Sequence, residues 1–409
     1  MRSRRRRAHG SRVIAGVARA QPAASGSPNV IFFVLNATWA TARCPPSADW
    51  STHQTSTGWS RTGYATPTSI PPRSARPPAP ASSAGRNHHS NGVAAAIMET
   101  ATGYPSCRDS RMPFENGMLS EMLLERSYYS TFCTGKWHLS PAEESTPASP
   151  FHRWPLGRSF ERFYGFLGGE TNQWFPDLTY DNHSVPQPKT VEEGYHLDED
   201  LIDHTIQFIL DAHVNAPDQP SSSTTPRLLP RPIRSARSGS RSTGQSSTWA
   251  GTNTAIVFAR QEGVGIFSSR PTPKLVPARS RRAGVGYTDR PAKSAVRTLH
   301  EVFAGFLEHA FSSVSAGHAG SHRRVGEHTL IALVIPDNGA GLRRWRQRRL
   351  QRDEQLQLLL RTFGDILPKM DQSGAGRRLQ PLPWGWSWAG NTPFRRWKKE
   401  VFRGGSTIT

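Results

Sequence analysis

The chain has 409 residues and a formal net charge of +20 at neutral pH, and this length suits one large α/β domain or two domains. The charge alone would favour a polyanion partner, but its distribution argues against one. Residues 86–220 carry 9 basic and 19 acidic side chains, whereas residues 221–300 carry 14 basic and 2 acidic ones. Three cysteines without a CxxC pair indicate neither a zinc knuckle nor a disulfide framework.

The chain begins with a strongly basic stretch, residues 1–27, which we predict to be an extension outside the folded domain. Its apolar part, residues 13–18, is too short and too interrupted for a secretory signal. No later run approaches the length of a transmembrane helix, so we expect a cytoplasmic location. The continuous apolar run at residues 28–35 is typical of a buried parallel strand.

Two helical patterns and one short polar motif follow in the middle of the chain. Residues 135–139 read GKWHL, which places the cation of Lys136 and the imidazole of His138 on one short element. Residues 199–213 have apolar side chains at the spacing of one helix face, and residues 302–307 repeat this spacing. With the apolar strands, these patterns predict helices that cover a mostly parallel sheet. Read alone, Lys136 would be a solvated lysine and His138 a core histidine.

Three segments have an unusual composition, rich in Arg, Pro, Ser and Ala: residues 37–84, 221–297 and 341–352. Such a composition is typical of disorder, yet the segments start and stop abruptly against well-patterned sequence. A one-base shift turns the codons of a PFFLYYAP strand into PSSSTTP, the sequence at residues 220–226. We therefore predict that these segments are translated out of frame or are disordered.

A second apolar, β-branched run at residues 329–335 predicts another buried strand, and Asp337 and Asn338 follow its end. A carboxylate and an amide at a strand's end suit a hard cation. In isolation, however, this Asp-Asn-Gly sequence is typical of a type I′ turn. Near the end of the chain, Lys398 lies in a run of Arg, Trp and Lys, where a charged surface is the competing interpretation.

Several of these blocks act together as a family signature. They are GRNHH at 85–89, GKWHL at 135–139, FYGFLGGETNQW at 163–174, DNG at 337–339 and RWK at 396–398. In these blocks the chain resembles the formylglycine-dependent arylsulfatases of the alkaline-phosphatase superfamily. The resemblance covers over half of the chain, so no single motif has to carry it.

The resemblance implies a fold and a division of the chain. The fold is a doubly wound, mostly parallel sheet with helices on both faces, in one catalytic domain at residues 28–405. Residues 406–409 would then be a truncated tail, since the family continues into a smaller C-terminal subdomain that we expect to be incomplete here.

The resemblance also implies a role for each candidate site residue. In the family a cysteine is oxidised to formylglycine, whose hydrate attacks the sulfur, while a divalent cation, usually Ca²⁺, polarises the sulfate. Asp337 and Asn338 fall on two metal-ligand positions. Lys136 and Lys398 fall on the two sulfate-binding lysines, and His138 falls on the histidine that handles the leaving-group proton.

Other positions depart from the family pattern. Two consecutive aspartates should follow the first strand, but Asn36 and an alanine stand there, so Ca²⁺ binding should be weak or absent. The nucleophile motif Cys-x-Pro-x-Arg aligns with residues 75–79, which contain no thiol. Cys107 has an arginine four residues later, but it lies after the His-His block, away from the expected metal. We expect the protein as translated to be poorly folded and inactive.

Two functions remain open from the sequence. The first is an arylsulfatase-like sulfuric ester hydrolase, with a small-molecule sulfate ester as substrate and neither a specific nucleic acid nor a membrane as partner. The second is a non-enzymatic basic protein that binds polyanions or nucleic acid nonspecifically. Salt-dependent binding to arbitrary DNA would favour the second.

Overall fold

A seven-stranded, mostly parallel sheet organises the part of the chain that the computed structural model describes. The described residues are 26–35, 84–86, 90–92, 111–127, 129–169, 171–228, 309–310, 313 and 328–334. The strands are β1 (Asn29–Leu35), β2 (Ser130–Lys136), β3 (Arg162–Phe166), β4 (Leu178–Tyr180), β5 (His183–Val185), β6 (Ser221–Leu228) and β7 (Thr329–Val334). Helix α1 spans Leu119–Ser127 and helix α2 spans Leu197–Asn215, and short 3-10 helices lie at Ala142–Glu144, Phe151–Arg153 and Leu156–Arg158.

The strands lie side by side in the order β5-β4-β3-β2-β6-β1-β7. β1 pairs in parallel with β6 and β7, and β2 pairs in parallel with β3 and β6. β4 and β5 extend one edge with antiparallel pairing. This mostly parallel sheet with helices confirms the predicted α/β class, and both predicted apolar strands, β1 and β7, belong to it.

The two predicted strands differ in burial. In β1, Ile31 and Phe33 are 2% and 1% exposed, as expected for a strand between two others. β7 lies at the edge of the described sheet, and its Leu330 is 57% exposed. At this edge of the sheet the described side chains of β7 are at most partly covered, so the prediction of a buried strand at residues 329–335 is wrong for Leu330.

Both faces of the sheet are covered around β2. Successive side chains of a strand point to opposite faces, and two neighbours in β2 accordingly join different cores. Phe132 packs against Phe208 of α2, with ring centroids 5.8 Å apart. Cys133 belongs to the core that contains Met118, beside α1, and Trp154. Helical segments thus lie on both faces, as predicted.

Helix α2 was predicted over residues 199–213 and extends two residues further at each end. Its N-cap is His196, whose Nδ1 accepts a hydrogen bond from the backbone N–H of Asp198 at 3.3 Å. Acidic side chains occupy its first turn, where they suit the positive end of the helix dipole. The helix predicted at residues 302–307 lies outside the described residues.

A buried polar network joins α2 to the sheet. The Asp200 carboxylate accepts hydrogen bonds from the hydroxyls of Tyr164 and Tyr195, at 2.7 and 2.9 Å. Its Oδ1 lies 3.1 Å from Nδ1 of His204, one helical turn later, and the His204 ring stacks on Tyr164 with centroids 3.5 Å apart. Burial is the main cause that raises the pKa of both tyrosines, and the Asp200 contacts add to it. Both hydroxyls therefore stay protonated as donors.

A second buried polar contact fixes the layer on the other face. Arg158, 2% exposed, donates to Glu121 of α1 at 2.6 Å. Glu121 Oε2 also accepts from the Met118 backbone N–H at 2.6 Å, and Ser120 donates its hydroxyl to the Arg158 carbonyl at 2.8 Å. Since a buried guanidinium needs a paired charge, this contact ties α1 to the 3-10 segment.

Strand β6 is unlike its neighbours because it begins with three buried serines. Ser221 is held at its start, where its backbone N–H donates to Asn29 Oδ1 at 2.8 Å. Ser223 is 1% exposed, and its hydroxyl has no hydrogen-bond partner among the described residues. The pairing of β1 with β6 shifts between Phe33 and Leu35, next to Pro226, which has no N–H to donate to a ladder.

These serines open the segment that we predicted to be out of frame or disordered. Because Ser221–Leu228 forms a strand, the prediction of disorder is wrong for these residues. The out-of-frame hypothesis stays a prediction. Residues 229–297 and 341–352, and residues 37–83, lie outside the described part of the chain.

No helix within the described residues is long and apolar enough to cross a membrane.

Candidate anion-binding site

The carboxyl ends of the parallel strands meet at one edge of the sheet, where open α/β sheets bind their ligands. β2 ends at Lys136 and β1 ends at Leu35. Cys133 pairs with Thr224 of β6, which pairs with Phe32 of β1. Lys136 lies three residues after Cys133, and Leu35 lies three residues after Phe32. One strand, β6, separates β2 from β1, so the two strand ends are about 10 Å apart, which is two strand spacings.

The cation-bearing end of β2 depends on a close approach of two glycines. Gly135 and Gly165 lie opposite each other in β2 and β3. A Cβ on Gly165 would lie 1.9 Å from the carbonyl oxygen of Gly135. Gly135 itself has a φ of 87°, a conformation that favours glycine. The glycines of both predicted motifs therefore shape this edge.

Trp137 anchors the loop that follows β2. It is 3% exposed, and its indole N–H donates to the Arg153 carbonyl at 2.8 Å and to the Ser140 hydroxyl at 3.1 Å. Its ring meets Phe160 edge to face, with centroids 6.0 Å apart. Leu139 is buried as well. The apolar residues of GKWHL thus point into the core and fix the positions of the polar ones.

His138 is held at the same edge in a restrained conformation. Its φ is 50°, and its backbone N–H donates to the Leu167 carbonyl at 3.0 Å. Its imidazole packs on Gly169, where a Cβ would lie 2.8 Å from Nε2. Lys136 and His138 are both half-buried, whereas Trp137 between them is buried. The structure therefore places a cation and an imidazole two residues apart beside the carboxyl edge.

The other predicted site residues fall outside the described residues. They are the metal ligands Asp337 and Asn338 and the second lysine, Lys398. Asp337 lies three residues after Val334, the end of β7, which pairs with Val34 near the end of β1. Asn36 and Cys107 are also outside. The roles of these residues stay predictions.

A second cluster of polar groups lies at the N-terminus of α2. His196, Asp198 and His309 each bring one ligand-type atom within 4.8 Å of the others. The rings of His196 and His309 are 4.3 Å apart between centroids, and Trp174 meets His196 edge to face at 5.0 Å. His309 Nε2 lies 3.0 Å from Glu199 Oε1.

Burial controls the charge of this second cluster. Asp198 is fully buried, which raises the pKa of its carboxyl to about 8, with a further contribution from Glu199. Burial also lowers the pKa of His196 to about 3, and His309 adds to this effect. Without a bound cation, the neutral forms of both groups are favoured near neutral pH.

Sequence reasoning missed this cluster. The predicted helix began at Glu199, one residue after Asp198, and His309 is more than one hundred residues away. The available signal was His196 itself, since histidine is not among the preferred N-cap residues.

The sulfatase family model matches residues 79–223. This segment, about a third of the chain, is similar to the sulfatases. The segment contains β2, β3, α2 and the start of β6, and Lys136 and His138 lie inside it. The match thus covers the part of the sheet with two complete cores. No curated protein matches the chain by sequence.

The chain is similar in fold to one solved sulfatase, and it also aligns with two other solved structures. The protein yidJ from Bacteroides fragilis, classed as a sulfatase, is 12% identical over 78% of this chain and 63% of its own length, with a TM-score of 0.50. Ps i-CgsB in complex with k-i-k-neocarrahexaose is 14% identical over 93% and 64%, with a TM-score of 0.49. A 2-O GAG sulfatase is 14% identical over 76% and 57%, with a TM-score of 0.37. The chain spans about three fifths of the length of these three proteins.

Proposed function

We propose that the protein is an arylsulfatase-type sulfuric ester hydrolase by descent, with a small aryl or alkyl sulfate ester as its ligand. One observation carries this proposal: Lys136 ends β2 at the carboxyl edge, beside His138, within the stretch that matches the sulfatases. The buried Trp137 fixes both polar neighbours, so the element is prearranged to receive an anion.

Lys136 and His138 have different roles in the proposal. The Lys136 ammonium binds a sulfate oxygen and offsets the negative charge that develops there. In a chain that kept the nucleophile, the His138 imidazole would pass a proton to the oxygen of the departing alcohol or phenol. Lys398, from the end of the chain, would add a second cation to the same anion.

A divalent metal ion, when bound, would polarise the sulfate in such a reaction. In this chain Asp337 and Asn338 would hold it. Asn36 supplies no charge where the family has carboxylates, so a Ca²⁺ ion would meet too few negative ligands and would bind weakly.

The nucleophile is the part of the proposal that this chain lacks. Residues 75–79 contain no cysteine that could be oxidised to formylglycine. The attack on sulfur then has no first step, because the group that should supply the attacking oxygen is missing. The proposed protein therefore binds a sulfate ester without hydrolysing it.

Equilibrium binding of 4-nitrophenyl sulfate to the full chain tests this proposal. We expect saturable binding that weakens at least about tenfold in Lys136→Ala, because one charge-assisted contact is lost. Lys189→Ala is the matched control, since Lys189 is exposed and distant in sequence from β2. Equal binding by Lys136→Ala and the unchanged chain would contradict the proposal, as would release of 4-nitrophenol by the chain as it stands.

The alternative function is nonspecific binding of a polyanion by the basic residues of 221–300. It predicts that binding to arbitrary DNA falls steeply as salt increases and is unaffected by Lys136→Ala. The same two variants therefore separate the two functions.

A further inference from the structure

The cluster at the start of α2 contains buried polar atoms that the fold leaves unsatisfied. Asp198 is 0% exposed, and neither of its carboxylate oxygens has a hydrogen-bond partner in the described part of the chain. Burying a carboxyl group without a hydrogen-bond partner is costly, whether it is neutral or charged. Such a group is stabilised when a bound ligand contacts its oxygens, and two imidazoles lie close enough to contact the same ligand.

The Nδ1 atom of His309 offers a second candidate ligand close to the Asp198 carboxyl group. Its Nε2 is 3.0 Å from the Glu199 carboxylate, which fixes the tautomer with the proton on Nε2. Nδ1 is then unprotonated, and this atom is buried without a partner among the described residues. A carboxylate that orients an imidazole in this way is the usual outer partner of a metal-binding histidine.

His196 supplies the third candidate ligand, but it would lose a hydrogen bond on binding a metal. Its Nδ1 accepts the backbone N–H of Asp198 at 3.3 Å, near the long limit for such a bond. Coordination through Nδ1 uses that lone pair, and coordination through Nε2 puts the proton on Nδ1. Either way this hydrogen bond is lost, so His196 is the weakest of the three ligands.

We propose that His196, Asp198 and His309 form a binding site for a divalent transition metal of the zinc class. Three ligand atoms within 4.8 Å of one another can surround one ion, and water can complete its coordination. Two imidazoles and one carboxylate favour zinc and its neighbours over Ca²⁺, which prefers six or more oxygen ligands. The site is independent of the proposed sulfatase activity and of Asp337 and Asn338.

The position of the site also connects it to the carboxyl edge. α2 leads into the N-terminal end of β6, so the start of α2 lies towards the carboxyl ends of the parallel strands. The segment at 171–174 runs from the His138 side to this cluster, because the Gln173 carbonyl accepts the Leu197 N–H at 3.0 Å and Trp174 packs on His196. A metal here would order that segment.

Titration of the full, metal-free chain with Co²⁺, followed by visible absorption, tests the proposal. We expect one equivalent to bind, Zn²⁺ to displace it, and equal concentrations of Ca²⁺ to leave it in place. Affinity should fall more than about a hundredfold in Asp198→Asn and His309→Ala, and less in His196→Ala. Glu199→Gln should weaken binding about tenfold, because it alters the outer partner of His309 and leaves the three ligands in place.

His183→Ala is the matched control, because His183 is exposed on β5, and it should bind Co²⁺ like the unchanged chain. Circular dichroism of each variant confirms its fold, and the isosteric Asp198→Asn keeps the shape of the side chain. The absence of saturable binding would overturn the proposal. So would equal affinity in Asp198→Asn and the unchanged chain, or displacement of Co²⁺ by Ca²⁺.

Discussion

The β2–β3 half of the sheet and the β6 strand beside it are built from different kinds of residue. Around β2 and β3, aromatic and apolar side chains fill both faces, and the buried polar groups Asp200 and Arg158 have partners. In β6, by contrast, serines occupy buried positions and the Ser223 hydroxyl has no partner within the described residues. The first half can hold its geometry by packing, whereas β6 depends on its neighbours for support.

This difference bears directly on the candidate site. Lys136 and His138 extend from the well-packed half, and Trp137 fixes them there. The end of β7, which precedes the predicted metal ligands Asp337 and Asn338, lies on the far side of β6. The residues proposed to bind the anion therefore extend from the better-packed part of the described sheet.

The largest effect should come from a methyl group between β2 and β3. Gly165→Ala places a Cβ 1.9 Å from the Gly135 carbonyl, so backbone must move, and we expect a loss of about 4 kcal/mol in the free energy of unfolding. Gly117→Ala is the control, because its Cβ would meet only side-chain atoms at ordinary contact distances, Met122 Cε at 3.5 Å and Glu121 Oε2 at 3.7 Å. Urea unfolding measures both. Equal stabilities of the two variants would show that the strands are not packed this closely.

The buried ion pair on the α1 face should come next. Glu121→Gln leaves the Arg158 guanidinium, 2% exposed, without its opposite charge, and we expect a loss of about 3 kcal/mol. Glu143→Gln removes an exposed pair with Arg111, whose side chains are 49% and 30% exposed, and should cost less than about 1 kcal/mol. If chemical unfolding gave the two variants the same stability, the buried pair would not support this half.

A serine-to-alanine substitution should raise the free energy of unfolding in β6 and lower it on the α1 face. Ser223→Ala removes a buried, unsatisfied hydroxyl from β6 and should stabilise the chain by about 1 kcal/mol. Ser120→Ala removes a hydroxyl that donates to the Arg158 carbonyl at 2.8 Å, and should destabilise it by about 1 kcal/mol. Thermal unfolding of both variants checks the signs. A loss of stability in Ser223→Ala would contradict the account of β6.

The smallest effect concerns pH and the network of α2. Burial opposes protonation of His204, but its hydrogen bonds with Asp200 outweigh burial and raise the pKa of His204 above its usual value. The pKa of His204 is higher in the folded than in the unfolded chain, so protonation of His204 stabilises the fold. This stabilisation is complete below about pH 6.5 and is lost as the pH rises through the folded pKa.

His204→Gln removes this titration. We therefore expect the stability difference between the unchanged chain and His204→Gln to shrink as the pH rises from about 5 to about 9. Unfolding at several pH values measures it. A difference that grows with pH would mean that the Asp200 contacts do not favour the charged imidazole.

The strands and the helix whose apolar residues follow a regular pattern were predictable from the sequence. β1, β7 and α2 follow from apolar runs and helical spacing, and the glycines of GKWHL and FYGFLGG mark a close approach of two strands. β6 was harder, because its serines and Pro226 disfavour a strand. Its pairing with β1 and β2 on either side overrides this local preference.

The site was only partly predictable, for a different reason. Lys136 and His138 lie two residues apart, so a local motif could reveal them. His196, Asp198 and His309 come together only through the fold, and no local spacing links His309 to α2. Exposed and buried histidines also look the same in a sequence, although burial determines their chemistry.

Hydrogen exchange of the full chain, with and without 4-nitrophenyl sulfate, tests the central claim most directly: a well-packed β2–β3 half carries an anion-binding element beside a weaker β6. We predict slower exchange in β2 and β3 than in β6, and added protection by the sulfate ester at residues 135–139 and 167–169. Faster exchange in β2 than in β6, or no protection at residues 135–139, would contradict it.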